Sequence, residues 1–450
     1  MSSTNEIAIL APHRHPRLRY VLRQLSDWWG VKLRLFTERD SYLAQTSEVG
    51  RIAYGVASSD LEEVHLFADA FMQGEDSVVA NKVAMPMENT GRTLPSGLFP
   101  NPTASDFDPF AAIFFCLSRF EEYQPFKADS HGRFSAAASH AHRHQYLTRP
   151  VVNQVVNDLA RRLNSHFPDL ELKLPPPSLQ LTYDVDVPYA YRYRGWRGIA
   201  SGLRDALTGH PGRSIKRLRA ANGNTKVGDP YDTFDWLEKI HQRHGIRATY
   251  FWLLANKRTS LDPNPDPDTP AIQQLIRHLD GKADTGIHPS YRSSDDTGLF
   301  TSEKEKLAGI VGHSVEKSRQ HFLRFRLPVT YREILRAGLR QDYSMGYADA
   351  SGYRAGTNLP FYWYDLEREE ASWLKVHPFV AMDVTLAKYQ KHGYFASQKI
   401  LLKMAEDIQE AGGPFTLLWH NSSFAPEFGW KGWAEMYEGL VGELNALFKT

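Results

Sequence analysis

Residues Ser178–Asp186 read S-L-Q-L-T-Y-D-V-D. Ser178–Tyr183 is a short run suited to a β-strand, and it gives way to two carboxylates, Asp184 and Asp186, spaced i, i+2. Just before it, Lys173–Ser178 contains Pro175, Pro176 and Pro177, the best linker candidate in the chain. After it, β-rich runs alternate with helical stretches. The further runs are Arg247–Leu253, Ala283–Ile287, Phe322–Leu327, Asp342–Gly346, Trp373–Val376 and Phe415–Trp419. Helices are expected over Ser201–Ala221 with Asp232–His244, then Ala271–Asp280, Ser302–Gln320, Tyr331–Ala337 and Leu386–Gly412. Such alternation predicts βα units feeding a parallel sheet. About seven units are present, one short of the eight of a TIM barrel. The expected fold is α/β, an irregular (β/α)7-type parallel barrel over residues 178–450.

Upstream, residues 1–174 read as a smaller α/β domain whose role the sequence does not state. Ile7–Leu10, Lys32–Phe36 and Ile52–Tyr54 are strand candidates, and Arg19–Trp29 is a helix. Met87–Ser105 is a loop rich in Pro, Gly, Asn and Thr. Phe107–Tyr123 and Val151–Phe167 are helices, the first with apolar residues at helical spacing. Ser118, Arg119, Glu121 and Glu122 near its end read as an interdomain salt-bridge cluster.

Composition sets the class. Hydrophobic residues make up 42% of the 450 and charged residues 23%, the balance of a globular protein with a large core. A net charge of +1 argues against a broad electrostatic footprint for nucleic acid or anionic membrane, local patches aside. Cys116 is the only cysteine, so no internal disulfide or thiolate zinc cluster can form. No basic, apolar leader is seen at Met1–Pro12, and no apolar stretch approaches the roughly 20 residues of a membrane span. The expectation is a cytoplasmic protein without a membrane span.

The polar residues fall at the ends of the strand runs: Asp184 and Asp186, Asn256, His288, then Tyr347 and Asp349, His377, His420 and Asn421, with Arg324 and Arg326 on the fourth run. In a parallel barrel those ends converge on one face, where active sites form. Singly, a strand-end Asp is often a helix cap and a lone His a satisfied structural residue. Together they permit hydrolysis of an amide or ester. One carboxylate can bind a metal while its neighbour acts as base, imidazoles suit zinc, an Arg holds the base ionised, and a second His serves as general acid.

Several of these stretches resemble motifs of the polysaccharide deacetylase family (NodB-homology, carbohydrate esterase family 4). S-L-Q-L-T-Y-D-V-D resembles its first motif and R-A-T-Y-F-W-L its second strand. T-G-I-H-P-S-Y resembles the metal-histidine motif, R-F-R-L-P the Arg-x-Pro motif and L-L-W-H-N the final Leu-x-His motif. D-Y-S-M-G-Y, Y-R-A-G-T-N-L-P-F-Y-W-Y-D-L and V-H-P-F, with S-R-F-E-E-Y and D-S-H-G-R-F upstream, resemble a bacterial subgroup in which the barrel follows an uncharacterised N-terminal domain. The resemblance implies Asp184 as catalytic base, Asp186 and His288 as metal ligands, Arg324 or Arg326 as the Arg that orients the base, and His420 as general acid. It implies a divalent metal, zinc first, and a carbohydrate or sugar-containing metabolite as the molecule deacetylated. Spacing from Arg326 to Pro328 favours Arg326 over Arg324.

The sequence departs from the family where a second metal His is expected, because Arg292 stands there. His377, at another strand end, is the expected replacement, with a structural His as its alternative reading. The rival functional reading is a degenerate deacetylase fold acting as a carbohydrate-binding or scaffold module. Other features read more plainly. His140, His142 and His144 alternate in what reads as a solvated loop, with an adventitious metal site as the alternative. Asp262–Asp268 has the acidity of a calcium loop but prolines in place of its Gly and Glu, so a surface loop at the barrel mouth is expected. Ala221–Lys226 lacks P-loop spacing. Trp252, Trp363, Trp419 and Trp430 are core residues by default, with a stacking face for a sugar expected from one of them.

Overall fold

The computed structural model describes residues 6–45, 50–57, 61–78, 98–104, 106–221 and 228–449. Most of the loop expected over Met87–Ser105, and all but the first residue of Ala221–Lys226, lie outside the described residues.

The chain opens with a four-stranded parallel sheet of β1 (Glu6–Leu10), β2 (Lys32–Phe36), β3 (Gly50–Tyr54) and β4 (Val64–Leu66), in the order β2-β1-β3-β4. Helix Pro16–Trp29 links the first two strands. Pro16 starts it, where a missing N–H costs nothing, and Gly30 in the left-handed region (φ 67°) ends it. Its buried stripe, including Leu18, Val21, Leu22 and Leu25, recurs at helical spacing. The next buried helix, Pro109–Ser118, is apolar all round and is capped by Asp108, which accepts from the backbone N–H of Phe110 and Ala111. Helix Val151–His166 completes this smaller α/β layer.

The larger sheet holds β5 (Ser178–Val185), β6 (Thr249–Leu253), β7 (Asp284–His288), β8 (Lys317–Ser318), β9 (Gln341–Asp342), β10 (Phe361–Asp365), β11 (Glu370–Val376), β12 (Ala381–Met382) and β13 (Pro414–His420). Its order is β10-β11-β9-β8-β7-β6-β5-β13-β12. All neighbours are parallel except the hairpin β10–β11. One stretch of chain, 370–382, serves both ends of this ladder: β11 pairs with β9, and β12, after a bend, pairs with β13. That turns the sheet into an irregular seven-unit βα barrel, with β10 as an added outer strand. Helices Phe234–His244, Pro270–Asp280, Thr297–Val311, Val329–Arg336 and Tyr394–Ala411 occupy the connections.

The largest departure from the expected elements is the fourth unit. The run Phe322–Leu327 is not a strand. The strand is the two-residue β8, and His321–Leu323 is a tight turn with Phe322 (φ 58°) and Leu323 (φ 53°) in the left-handed region. The alternation of F-L-R-F-R-L looks like a strand, but a left-handed pair cannot lie in a pleated ladder. Likewise the helix expected over Ser201–Ala221 is a pair, Trp196–Leu207 and Pro211–Ala221, broken at Gly209 (φ 78°) and Pro211.

One continuous hydrophobic core runs from Ile7 through the barrel to Leu444. Trp252, Trp363, Trp419 and Trp430 are all buried in it, and Trp430 also lines the pocket described next.

Candidate active site and metal centre

The C-terminal strand ends surround a cavity of about 260 Å³, with Asp184, Asp186, His288, His321 and His420 among its walls. β5 and β13 run in register, with His420 beside Asp184, and β7 brings His288 to the same rim through β6. Among the described residues, Asp186, His288 and His321 offer ligand atoms that all lie within 4.8 Å of one another.

Each imidazole is oriented by its other nitrogen. His288 Nδ1 lies 2.6 Å from the carbonyl of Arg319, which can only accept, so Nδ1 carries a proton and Nε2 is the atom turned to the cavity. That Nε2 is 3.4 Å from Asp186 Oδ1 and 3.7 Å from Asp184 Oδ2. His321 Nδ1 pairs with Asp262 Oδ1 at 3.1 Å, and its Nε2 lies 3.6 Å from Asp186 Oδ1. Asp262 is fully buried, fixed by the backbone N–H of Tyr291 at 2.8 Å. Asp186 Oδ1 is buried yet has no hydrogen-bond partner. An orphaned carboxylate oxygen facing two imidazole Nε2 atoms, each backed by an oxygen acceptor, is a donor set that fits a divalent ion of the zinc type. Desolvation opposes the charge of Asp186, but the imidazoles of His321 and His288 hold its carboxyl well below the usual carboxylate range. Burial also opposes protonation of His321, yet Asp186 and Asp262 push it up to about 9.

Asp184 has a different surrounding. Arg319, fully buried, donates from Nη1 to Asp184 Oδ1 at 2.9 Å, from Nη2 to Thr182 Oγ1 at 2.7 Å and from Nε to the carbonyl of Tyr343 at 2.9 Å. Its guanidinium lies over the Phe251 ring, 4.4 Å from the centroid. Gly286 makes room for that ring, since a Cβ there would stand 2.5 Å from it. The glycine of T-G-I-H thus supports the platform under Arg319.

His420 is held by Asp383, itself buried, whose carboxylate takes the His420 backbone N–H at 2.7 Å and lies 2.9 Å from Nδ1. Its Nε2 faces Asp186 at 3.9 Å. Burial disfavours the imidazolium, but Asp383, then Asp186 and Asp184, push its pKa up to about 10.

Three residues expected at the site stand elsewhere. Arg324 pairs with Asp295 at 2.7 Å and donates to the Tyr291 carbonyl, while Arg326 is largely exposed, 3.8 Å from the same Asp295. With Phe322–Leu327 out of the sheet, neither points at Asp184, and Arg319 occupies that place. His377 does not join the ligand cluster. It lies stacked on Tyr343 with ring centroids 4.3 Å apart, and its Nε2 has no partner. Its own backbone N–H pairs with the Asp342 carbonyl, continuing the β11–β9 ladder, and the half-buried ring lies on Tyr343 and not in the cluster. Arg292 is exposed, in the turn Tyr291–Asp295.

Arg319, His321 and Asp383 are not among the residues expected at the site, and Asp262, expected in a surface loop, is buried beside it. The available signal was the polar R-Q-H that follows the two residues of β8. Arg133, from the upstream D-S-H-G-R-F, also lines the cavity. It donates from Nη1 to the Phe322 carbonyl at 2.7 Å, from Nη2 to the Tyr389 hydroxyl at 3.2 Å and from Nε to Asp129 at 2.7 Å.

Comparisons with known proteins bear on the two parts of the chain separately. Residues 7–168 match a family of unknown function, DUF7033. No curated protein matches the chain. Among solved structures, one from Mycobacterium smegmatis assigned to the polysaccharide deacetylases is 12% identical and covers 60% of this chain and 85% of its own, with a TM-score of 0.39. A family 4 carbohydrate esterase from Streptomyces lividans in complex with acetate is 9% identical over 60% of this chain and 88% of its own, TM-score 0.28. A family 4 carbohydrate esterase pseudoenzyme from Bacillus anthracis is 11% identical over 62% of this chain and 66% of its own, TM-score 0.27.

Proposed function

We propose that this pocket is the active site of a metal-dependent hydrolase that removes an acetyl group from a carbohydrate or sugar-containing metabolite. The observation that carries the reading is the convergence of Asp186, His288 and His321 beside an Arg-held Asp184. Asp186, His288 and His321 would hold the ion, zinc being the first expectation for such a donor set. The chemistry such an ion supplies is polarisation of a carbonyl and a lowered pKa for water.

The chain's own residues divide the remaining work. Asp184, held and oriented by Arg319, accepts the proton of the attacking water. His420, held protonated by Asp383, donates to the leaving nitrogen or oxygen. Leu323, Met382 and Val384 give the cavity an apolar wall suited to an acetyl methyl, and Trp430 offers a ring face to a sugar. His321 supports the hydrolase over a scaffold module, since it offers a third candidate ligand without position 292.

The test is elemental analysis of the purified protein together with acetate release from N-acetylated oligosaccharides. About one divalent ion per chain is expected, with acetate release lost in Asp184→Asn while the ion stays. A wild-type protein that takes up no divalent ion would overturn the proposal.

A further inference from the structure

Helix Trp196–Leu207, in the connection that leaves β5 just after Asp186, turns an apolar face to solvent. Trp196 is 72% exposed, Ile199 44%, Leu203 57% and Leu207 88%. Their spacing of three and four residues puts all four on one stripe. The opposite face is small and packed: Gly198, Gly202 and Asp205 are buried, and a Cβ on Gly202 would stand 3.4 Å from Arg217 and Leu218 of the second helix, Pro211–Ala221. The hairpin is therefore closed by its small side, and the large side chains are left outside it. Ile215, half exposed, adds an apolar position on the second helix.

The same segment is strongly basic. Residues 192–219 carry seven Arg and one Lys against the single acid Asp205, a net +7 in a chain whose total is +1. Some of this charge is used internally. Arg217 pairs with Asp205 at 2.7 Å, and Lys216 with Glu427 at 2.5 Å. Arg204, beside the apolar stripe, and Arg219, one turn from Ile215, are exposed and have no ion-pair partner among the described residues. Glu427 follows Ser422 and Ser423, which line the active-site cavity, so the hairpin is tied to the cavity's rim.

We propose that this hairpin is a docking surface for an anionic lipid bilayer, lying in the headgroup region without crossing it. An apolar stripe headed by a Trp and flanked by Arg is the pattern of an interfacial helix, whose binding adds apolar burial to attraction for acidic headgroups. No helix among the described residues is long and apolar enough to cross a membrane, which fits a helix that lies on the surface. A second copy of the chain is the poorer occupant, because apposing two such faces sets like charge against like charge. The inference goes beyond the hydrolase reading and does not depend on it.

Flotation of the full chain with vesicles tests it. The protein should float with phosphatidylcholine–phosphatidylglycerol vesicles, less with phosphatidylcholine alone, and less again at high salt. Leu203→Ser with Leu207→Ser should weaken partitioning by about tenfold or more, and Arg204→Glu with Arg219→Glu should abolish the preference for anionic lipid. Bound wild type should show a blue-shifted tryptophan emission that Trp196→Phe lacks. Asp184→Asn should float like wild type, which separates docking from catalysis. Absence of flotation overturns the proposal, as does flotation that the Leu203 and Leu207 changes leave intact. Sedimentation showing a dimer that those same changes dissociate, with no vesicle binding, would assign the face to a second copy instead.

Discussion

His321 and His377 pose the sharpest question at the scale of single residues. Both are imidazoles near strand ends, but their surroundings differ in kind. His321 is backed by the buried carboxylate of Asp262 and aims Nε2 at Asp186, whereas His377 lies flat on Tyr343 with Nε2 unpartnered. His321→Ala is expected to lower zinc affinity by ~100-fold or more, read by competition with a chromogenic chelator, and His377→Phe to leave it unchanged. The two also predict different acid behaviour. Burial pushes His377 down to about 3 from an ordinary 6.5, with Lys375 and Lys317 adding to the shift. The folded protein therefore keeps His377 neutral where the unfolded chain takes up a proton, so this contribution is fully present above about pH 6.5 and is lost as pH falls. The slope is about 1.4 kcal/mol per pH unit. His377→Phe, which retains a ring over Tyr343, should flatten the acid-side decline of urea stability by that amount. An unchanged slope would mean that His377 is not held neutral. Asp184, Asp186, His288 and His420 are legible in the sequence because each ends a β-run of five or more residues whose last position must face the rim. His321 and Arg319 are not, because β8 is two residues long and polar, and the apolar alternation that follows it belongs to a turn.

At the scale of elements, the turn His321–Leu323 is held from outside the barrel. Arg133 grips the Phe322 carbonyl, the His131 ring lies 5.0 Å from that of Phe322, and the His131 carbonyl receives Arg324 Nε at 3.3 Å. Two left-handed residues in succession cost energy and persist only where their surroundings hold them. Segment 129–133 supplies that hold, through a loop closed on itself by Asp129, which accepts from the backbone N–H of His131 and Arg133. Arg133 is thus expected to act as a positioning residue for His321. Arg133→Gln should loosen the turn, raising amide hydrogen exchange at 321–324 and weakening zinc binding by roughly 10-fold or more, with little change in melting temperature. Arg133→Lys, which keeps one donor, should recover part of the loss. Equal exchange in wild type and Arg133→Gln would show that the turn holds itself. D-S-H-G-R-F was legible as a motif, but its target was not, since the contact spans some 190 positions of sequence.

At the scale of the whole molecule, the proline-rich boundary at 175–177 marks a change of pattern and not a break in packing. β10 is an outer strand, and an uncovered edge is a template for aggregation. Helix Pro16–Trp29 covers it group by group. Gln24 Oε1 accepts from Tyr362 N at 3.0 Å, the Tyr20 hydroxyl donates to the Tyr362 carbonyl at 2.6 Å, and Trp28 Nε1 donates to the Pro360 carbonyl at 2.9 Å. Farther along, Asn153 bonds Asn358 at 2.6 Å and the Gly412 carbonyl at 3.1 Å. Arg354 is fully buried against Glu122 at 2.6 Å, and Glu122 also takes Arg119 at 2.8 Å. Burial opposes the charge of Glu122, yet Arg354 and Arg119 hold it below its ordinary value. Cutting the chain before Ser178 removes Glu122, the ion-pair partner of Arg354, and with it a buried polar tie between the two layers. It also bares the β10 edge and the apolar surface that helices Pro16–Trp29 and Pro109–Ser118 cover. Against a total stability of about 5–15 kcal/mol, those losses are decisive. A fragment of residues 178–450 is therefore expected to be insoluble or to lack a cooperative thermal transition, while the full chain melts in one step. A soluble fragment with a sharp melt of its own would show that the barrel is an independent folding unit and that the shared core is only a docked interface.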